Sequence, residues 1–164
     1  RIKGGNMLKK YSPWLGLIAR LILGGVLIAA GWLKAFNTAE AENAVRAYQV
    51  LPLPVADFVG ISLPWIEIGI GILLILGVVT RFAAIAGGAI MVIFIIAIAQ
   101  AGLRGLSIDC GCFGGGGAVE PGQTKYLQEI ARDIFFALLA LYIYRYPNSK
   151  FALSKESVNG AAER

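Results

Sequence analysis

The two cysteines of the chain, Cys110 and Cys112, are separated by a single residue, Gly111. Two thiols this close in sequence can form a small disulfide ring, and the glycine lets the backbone bend to close it. Such a ring departs from relaxed disulfide geometry, and strained disulfides are reduced more easily than structural ones. The pair therefore predicts thiol–disulfide exchange, with both cysteines as the catalytic residues.

Two other interpretations of the cysteine pair stay open at this point. One is a fixed disulfide, although so short a ring removes little chain entropy and would stabilise a fold weakly. The other is a metal site, but the chain has no histidine, and Asp109 is the one carboxylate beside the thiols, which leaves a tetrahedral site short of ligands. We therefore expect no metal, with a soft Cu(I) ion held by the two thiolates as the alternative.

Four consecutive glycines, residues 114–117, follow Phe113 after the cysteine pair. The run lacks the Lys-Ser/Thr ending of a phosphate-binding loop, and no strand is predicted before it. We expect this run to be a flexible tether that lets the sulfur of another protein approach the pair.

The composition indicates that this loop belongs to a membrane protein. Apolar residues make up 57% of the 164 residues and charged residues 15%, against about 45–50% and about 25% in soluble domains. A water-soluble domain of this size could not bury so much apolar surface. We therefore expect association with a lipid bilayer and no nucleic-acid partner, and we exclude a disordered chain and an ordinary cytosolic enzyme.

Four segments are apolar enough to cross a bilayer, which takes roughly 20 helical residues. They cover about residues 14–36, 58–79, 82–103 and 126–146. The fourth is the weakest, because its uninterrupted apolar run covers only residues 134–144. The predicted fold is an all-α membrane protein, a four-transmembrane-helix bundle that forms one domain over residues 1–164. An outer loop at 104–125 carries the cysteines, and a polar, mobile tail covers 147–164.

A short amphipathic helix is predicted between the first two spans. Asn37 and Glu40 have the spacing of a capping pair, and Ala41 and Tyr48 follow on one helical face. We expect this helix to lie on the outer surface of the membrane and to end before the Leu-Pro-Leu-Pro sequence at 51–54.

Lysine and arginine in the segments that flank the spans predict the orientation. With the amino terminus inside, nine basic residues lie on the cytoplasmic flanks and four on the outer flanks. Both termini are then cytoplasmic, and the cysteine loop faces the oxidising side, where disulfides persist. We expect no cleavable signal sequence, and Met7 is a candidate native start with residues 1–6 as an upstream extension.

Four charged residues within the spans are further candidates for function, because charge is costly in hydrocarbon. The first two, Arg20 and Lys34, share one face of the first span with Gly24 and Gly31. Small residues on a helix face favour close packing against another helix. The two cations can also snorkel towards the two membrane surfaces.

The other two charged candidates, Glu67 and Asp133, lie at similar distances from the inner ends of their spans and therefore at similar depth in the outer half. Carboxyls below the cysteine loop can hold or pass the protons that thiol chemistry moves. The alternative is a structural role, in which these acids pair with Lys34, Arg20 or Arg132. Glu129, one helical turn before Asp133, lies near the surface, where we expect it to be solvated.

With these features, the chain resembles the DoxX/MauE group of small bacterial membrane proteins over about residues 15–146. The resemblance rests on three groups of residues whose order and spacing together are specific. They are Arg20, Gly24, Gly31 and Lys34; Tyr48, Leu51, Pro52, Leu63, Pro64, Glu67, Gly71, Leu74 and Gly77; and Cys110-Gly111-Cys112-Phe113-Gly114. The third group resembles the MauE-type sequence C-G-C-F-G.

The resemblance implies a four-helix bundle in the bacterial cytoplasmic membrane that helps to form or reshuffle disulfides in exported proteins. It also implies a thioredoxin-fold exported protein or an exported disulfide protein as partner. One cysteine would attack and the other would resolve the mixed disulfide, in an order that the sequence leaves open. A single cysteine pair cannot carry electrons across a membrane, so quinone is the candidate acceptor, by analogy with other four-span disulfide-generating proteins.

The competing hypothesis is a non-enzymatic accessory subunit that docks or scaffolds an exported redox enzyme. The cysteine pair would then be structural or bind Cu(I), and the assembly would stay active without it. A small solute transporter has little support, because the sequence shows neither broken helices nor an inverted repeat. The family's association with methylamine dehydrogenase is not carried over, because the sequence itself shows no methylamine pathway.

Overall fold

The computed structural model describes residues 5–153; residues 1–4 and 154–164, with most of the predicted upstream extension and polar tail, lie outside the described part. The elements in chain order are α1 (Gly5–Ala35), α2 (Thr38–Ala47), α3 (Leu53–Leu76), α4 (Thr80–Leu103), β1 (Ile108–Asp109), β2 (Gly117–Ala118) and α5 (Tyr126–Arg145). Within the described residues, α3, α4 and the Pro13–Ala35 part of α1 are long and apolar enough to cross a membrane. The prediction of an all-helical membrane protein is therefore confirmed.

Prolines and a glycine decide where α3 begins and ends. The helix begins at Leu53, earlier than predicted, because Pro54 occupies the first turn, where backbone N–H groups have no helical partner. At the other end, Gly77 has a φ of +68°, and its N–H donates to the carbonyl of Leu73, as in a left-handed C-cap. The chain then turns directly into α4, which begins at Thr80.

The predicted short helix between the first two long helices is present as α2. Asn37 takes the N-cap position, but its side chain makes no capping hydrogen bond, so the predicted capping pair is not formed. Ala41 and Ala44 are buried on the inner face of the helix. The helix packs closely on the beginning of α3, where a Cβ added to Gly60 would lie 2.7 Å from the Cα of Glu42.

Small residues let α1 and α3 approach each other closely, as the glycine pattern predicts. A Cβ added to Gly24 would lie 2.8 Å from the carbonyl oxygen of Gly71, and one added to Gly71 would lie 2.7 Å from that of Gly24. Two turns further along, a Cβ added to Gly31 would collide with the carbonyl oxygen of Pro64. The two backbones are therefore in direct contact along this face.

The apolar core lies between α1, α3, α4 and α5. Its buried members are Ala19, Leu23, Leu27, Ile70, Leu74, Ala83, Ala84, Ile90, Met91, Phe136, Ala140 and Ile143. Large apolar side chains also cover the outside, and Trp32, Phe58 and Ile96 are each more than half exposed. Such a surface suits contact with lipid. Helix α5 is not among the membrane-capable helices, because charged residues interrupt its apolar sequence.

The beginning of the predicted mobile tail is attached to the helices. The backbone N–H of Lys150 donates to the carbonyl of Pro13 at 3.2 Å, and that of Leu153 donates to the carbonyl of Leu76 at 3.3 Å. Residues 147–153 are therefore bound to α1 and α3. The carbonyl of Leu76 is at the last residue of α3, where a backbone group needs a partner outside the helix.

We expect Gly31→Ala to destabilise the protein, because the added methyl group would force α1 away from α3. Overpacking of this kind costs about 1–3 kcal/mol. Thermal unfolding in detergent measures the change, and Gly25→Ala is the matched control, because a Cβ at Gly25 meets nothing within 4 Å. Equal unfolding temperatures for the two variants would contradict the close contact.

Candidate functional site

The two cysteines lie in a turn between the paired strands β1 and β2. The strands are antiparallel, with Ile108 opposite Ala118 and Asp109 opposite Gly117. Cys110 and Cys112 are joined as a disulfide, with their Cα atoms 5.4 Å apart. The strand pair therefore presents the disulfide at the tip of a small hairpin that folds over one end of the helices.

The glycine run forms a packed turn and not the flexible tether expected from the sequence. Gly111 and Gly114 to Gly117 all have positive φ angles, which glycine adopts without steric cost. A Cβ added to Gly111 or to Gly116 would lie 2.6 Å from the Cβ of Ala44 on α2. The absence of side chains therefore lets the turn press against α2.

Both cysteines are buried under this turn. Cys110 is 8% exposed and Cys112 is 5% exposed, and they cluster with Ile98 of α4. A partner's sulfur cannot reach either cysteine without movement of the turn. The predicted thiol pair is thus present and oxidised, but it is covered.

Charged groups of α5 and β1 lie around the sulfur of Cys110. The Nη2 atom of Arg132 donates to the Sγ of Cys110 at 3.8 Å, and the backbone N–H of Cys112 donates to the same sulfur at 3.1 Å. Carboxylate oxygens of Asp109 and Glu129 lie within 4.8 Å of this sulfur and of each other. The backbone N–H of Cys110 also bonds to Glu129.

Arg132 and Glu129 were not predicted as residues of the cysteine site. Arg132 was considered only as an ion-pair partner, and Glu129 was expected to be solvated. Glu129 and Arg132 lie three residues apart on one face of α5. Asp133, four residues after Glu129, lies on the same face. This spacing predicts that the three charged residues share a helix face, but it does not indicate which other segment of the chain packs against that face.

Two tyrosines fasten the hairpin to the helices. The hydroxyl of Tyr48 donates to the carbonyl of Cys110 at 3.2 Å. Burial, with a smaller contribution from the Glu129 carboxylate, raises the pKa of Tyr48, so its phenol stays protonated and donates. The hydroxyl of Tyr126 donates to the carbonyl of Leu106 and accepts from the N–H of Ile108 at 3.1 Å. The hairpin is thus held at its turn and at the beginning of its first strand.

A buried ion pair lies beneath the disulfide. The Nζ atom of Lys34 on α1 lies 2.8 Å from Oε1 and 2.6 Å from Oε2 of Glu67 on α3. Of the three cations that the sequence offered to Glu67, the structure selects Lys34. The ammonium borders a cavity of about 40 Å³ that both cysteines also line.

Asp133 lies in the same region as Glu67. Its Oδ1 accepts hydrogen bonds from Nε of Arg132 at 3.0 Å, and it is 2% exposed. Glu67, Asp133 and Cys112 line a second cavity, of about 10 Å³. The structure thus brings three of the predicted site residues, with Lys34 next to them, into one region below the cysteine turn.

Arg20 lies at the other end of the helices, away from the disulfide. Its guanidinium donates to the carbonyls of Leu74 at 2.7 Å and Ile75 at 2.9 Å, and to the hydroxyl of Ser149. A cation at this position satisfies the last carbonyls of α3 and suits the negative end of the helix. Arg20 therefore links α1 to α3 and to the segment after α5.

The cavities that the cysteines line are too small for a quinone. The two cavities that the cysteines line measure about 40 Å³ and 10 Å³, whereas sites for small organic ligands measure about 300–1,000 Å³. A larger groove of about 210 Å³ runs between α4 and α5, where Gly88, Ala140 and Tyr144 line it. It opens along the apolar outer surface and does not include the sulfurs.

Donor atoms for a metal ion come together at Asp109, Cys110 and Glu129. The sulfur of Cys110 is already bonded to Cys112, so no thiolate is available in the oxidised protein. The set combines one sulfur with two carboxylates and differs from the two-thiolate Cu(I) site considered from the sequence.

The chain matches the family model of methylamine utilisation protein MauE over residues 12–145. Three similar proteins are each named methylamine utilization protein MauE. The one from Paracoccus denitrificans is 34% identical over 106 residues, which are 64% of this chain and 57% of the relative. The one from Methylorubrum extorquens is 37% identical over 106 residues, with the same two shares. The one from Methylophilus methylotrophus is 36% identical over 150 residues, 89% of this chain and 76% of the relative.

The chain therefore spans 57% of the length of two of these relatives and 76% of the third. No solved structure matches the chain significantly.

We expect Gly116→Ala to push the turn away from α2 and to expose the disulfide. The rate at which a water-soluble phosphine reduces the disulfide should rise about tenfold, which corresponds to about 1.4 kcal/mol of lost packing. Gly115→Ala is the matched control, because Gly115 also has a positive φ but a Cβ there meets nothing within 4 Å. If both variants are reduced at the same rate, contact with α2 does not hold the turn.

We expect Lys34→Met and Glu67→Leu, made singly, to lower the free energy of unfolding by about 3 kcal/mol each. Each substitution leaves a buried, unpaired charge, whereas the double variant leaves none and should be close to the wild type. Thermal unfolding of the four proteins in detergent gives the comparison. Additive losses in the double variant would contradict a buried, mutually compensating pair.

Proposed function

The chain belongs to the MauE family, as the sequence resemblance predicts, and from this premise we propose that it is a membrane thiol–disulfide oxidoreductase. Its Cys110–Cys112 pair exchanges disulfides with exported proteins. The observation that carries the proposal is a disulfide between cysteines two positions apart, with a guanidinium 3.8 Å from one of its sulfurs. A ring this short stabilises a fold weakly, and a cation beside a sulfur favours the thiolate on which exchange depends.

The charged residues below the turn support this chemistry. Exchange releases and consumes protons, and Glu129 is close enough to Cys110 to accept or return one. Glu67 and Asp133 extend a line of carboxyls beneath Cys112. We assign these two acids, with Lys34, to holding charge and protons near the pair, and Arg20 to a structural role at the other end of the helices.

We further propose that α5 is a fourth span and that α1, α3, α4 and α5 form a four-transmembrane-helix bundle as one domain. Twenty helical residues extend about 30 Å, the thickness of a bilayer core. The charged residues Glu129, Arg132 and Asp133 lie in the half of α5 next to the cysteine turn and face protein groups. Arg145 lies at the other end, where a basic residue is expected on the cytoplasmic side.

In this arrangement the protein lies in the bacterial cytoplasmic membrane with both termini inside and the cysteine turn outside. The helix α2 then lies at the outer surface. The excess of basic residues on the inner flanks supports this orientation, and so does the disulfide itself, because disulfides persist on the oxidising side.

The partner that we propose is an exported thioredoxin-fold protein or an exported protein with disulfides of its own. The relatives are named for methylamine utilisation, so a methylamine utilisation system is the first place to look for it. We derive no step through a quinone, because neither cavity at the sulfurs has room for one.

The burial of both cysteines supports a second candidate function. A sulfur this well covered suits a structural disulfide in an accessory subunit that docks an exported redox enzyme. The two functions differ in whether activity needs the cysteines.

We expect the oxidised protein to transfer one disulfide to a reduced thioredoxin-fold dithiol, and Cys110→Ser or Cys112→Ser to abolish the transfer. Either substitution removes the bond that is exchanged. The measurement is a single-turnover assay in detergent with alkylation of free thiols, and Gly25→Ala is the control variant. Full transfer by a folded cysteine variant would favour the accessory subunit.

In intact cells, we expect a membrane-impermeant thiol reagent to label the cysteines of the wild type only after mild reduction, because the cysteine turn faces outward in the proposed orientation. Labelling that occurs only after the membrane is disrupted would contradict this orientation.

A further inference from the structure

The two sulfurs of the disulfide lie in different surroundings, and this difference assigns them different roles. We propose that Cys112 forms the mixed disulfide with a partner and that Cys110 leaves as the thiolate beside Arg132. This inference rests on the proposed thiol–disulfide exchange and adds the order in which the two sulfurs act.

Hydrogen-bond donors converge on Cys110. Among the described residues, two groups donate to a cysteine sulfur, the guanidinium of Arg132 at 3.8 Å and the backbone N–H of Cys112 at 3.1 Å, and both reach the Sγ of Cys110. Donors directed at a sulfur stabilise it as an anion, and a cationic donor does so most strongly. Cys110 is therefore the sulfur on which negative charge is best accommodated.

The guanidinium is held in place for this contact. Nε and Nη2 of Arg132 both lie 3.0 Å from Oδ1 of Asp133, and Nη2 carries a second N–H that points to the sulfur. The guanidinium also lies over the ring of Phe113, 4.8 Å from its centroid. One ion pair and one aromatic ring thus fix the orientation of the cation that faces Cys110.

The surroundings of Cys112 are less suited to an anion. Carboxyl residues lie near both sulfurs, since Glu67 and Asp133 line the small cavity of Cys112 and Asp109 and Glu129 lie within 4.8 Å of the sulfur of Cys110. The difference lies in the donors, because among the described residues both donors to a cysteine sulfur reach Cys110 and none reaches Cys112. Lys34 lines the cavity of about 40 Å³ with both cysteines, and its ammonium is bound to both oxygens of Glu67. Cys112 borders both cavities, whereas Cys110 borders one. Both cysteines are buried, so a partner reaches either sulfur only after the turn has moved, and the donors at Cys110 decide between them.

The exchange then follows a defined order. A thiolate of the partner attacks Sγ of Cys112, a bond forms between these two sulfurs, and the bond between Cys110 and Cys112 breaks. The electron pair of the broken bond passes to Sγ of Cys110, beside Arg132. The better-stabilised thiolate is the faster leaving group, which favours attack on Cys112 over attack on Cys110.

A second thiolate of the same partner completes the transfer. It attacks the partner's own sulfur in the mixed disulfide, and Cys112 leaves as a thiolate. The partner loses two electrons and the cysteine pair gains two. Protons reach the pair from solvent or from Glu129, whose carboxylate lies within 4.8 Å of Cys110. The reverse reaction follows the same path, with Cys110 as the resolving thiolate.

The first test maps the mixed disulfide on the wild-type chain in detergent. The oxidised protein is treated with glutathione, quenched with acid, alkylated and fragmented on either side of Gly111 in a mass spectrometer. We expect glutathione on Cys112 and the alkyl group on Cys110, with at least about a tenfold preference. An equal distribution, or a preference for Cys110, would overturn the assignment but leave disulfide exchange standing. No adduct on either cysteine, in the wild type and in Gly116→Ala, would overturn the exchange itself.

The second test examines Arg132. In the Cys112→Ser background, the pH at which alkylation of Cys110 is half-maximal should rise by on the order of one unit on Arg132→Gln and by less on Arg132→Lys. Lys125→Gln, which removes an exposed cation just before α5, should leave it unchanged. Asp109, Glu129 and Asp133 also face this region and are kept in all variants. If Arg132→Gln loses thermal stability but the pH of half-maximal alkylation does not change, Arg132 has a structural role only and its assignment is overturned. If Arg132→Gln does not fold, the same comparison is made with Arg132→Lys.

Discussion

The buried ion pair between Lys34 and Glu67 is the interaction on which the cysteine site depends. Charges inside an apolar interior are tolerated only when they are paired, because each loses its hydration. This requirement fixes how α1 and α3 meet directly below the disulfide. At the far end of the same two helices, Arg20 satisfies the last carbonyls of α3. The glycines between these two points allow the close approach that both interactions need.

The cysteine turn is held above this ion pair by close packing and by hydrogen bonds to two tyrosines. Its glycines press against Ala44, the hydroxyl of Tyr48 binds the carbonyl of Cys110, and the hydroxyl of Tyr126 binds the N–H of Ile108. The result is a covered disulfide, which another sulfur can reach only when the turn moves. Under the proposed function, the contacts between the turn and Ala44 of α2 control access to the disulfide.

Helix α5 makes the surroundings of the two cysteine sulfurs different. One face of this helix brings Glu129 and Arg132 to Cys110, while Asp133, on the same face, holds the guanidinium. The same charged residues that make α5 the least apolar of the long helices therefore make one sulfur different from the other. Under the proposed function, the weakness of the fourth span follows from the needs of the thiol chemistry.

The sequence by itself determined the helical membrane class, the cysteine pair and the family resemblance, because apolar runs and a short motif are local properties of the chain. It also placed Glu67 and Asp133 at similar distances from the ends of their apolar segments, since the rise per residue of a helix is constant. Only the tertiary structure decided that Glu67 pairs with Lys34, that Arg132 and Glu129 meet Cys110, and that the disulfide is buried. Those outcomes depend on how each helix is rotated about its axis and how closely it approaches its neighbours, and packing between distant segments sets both.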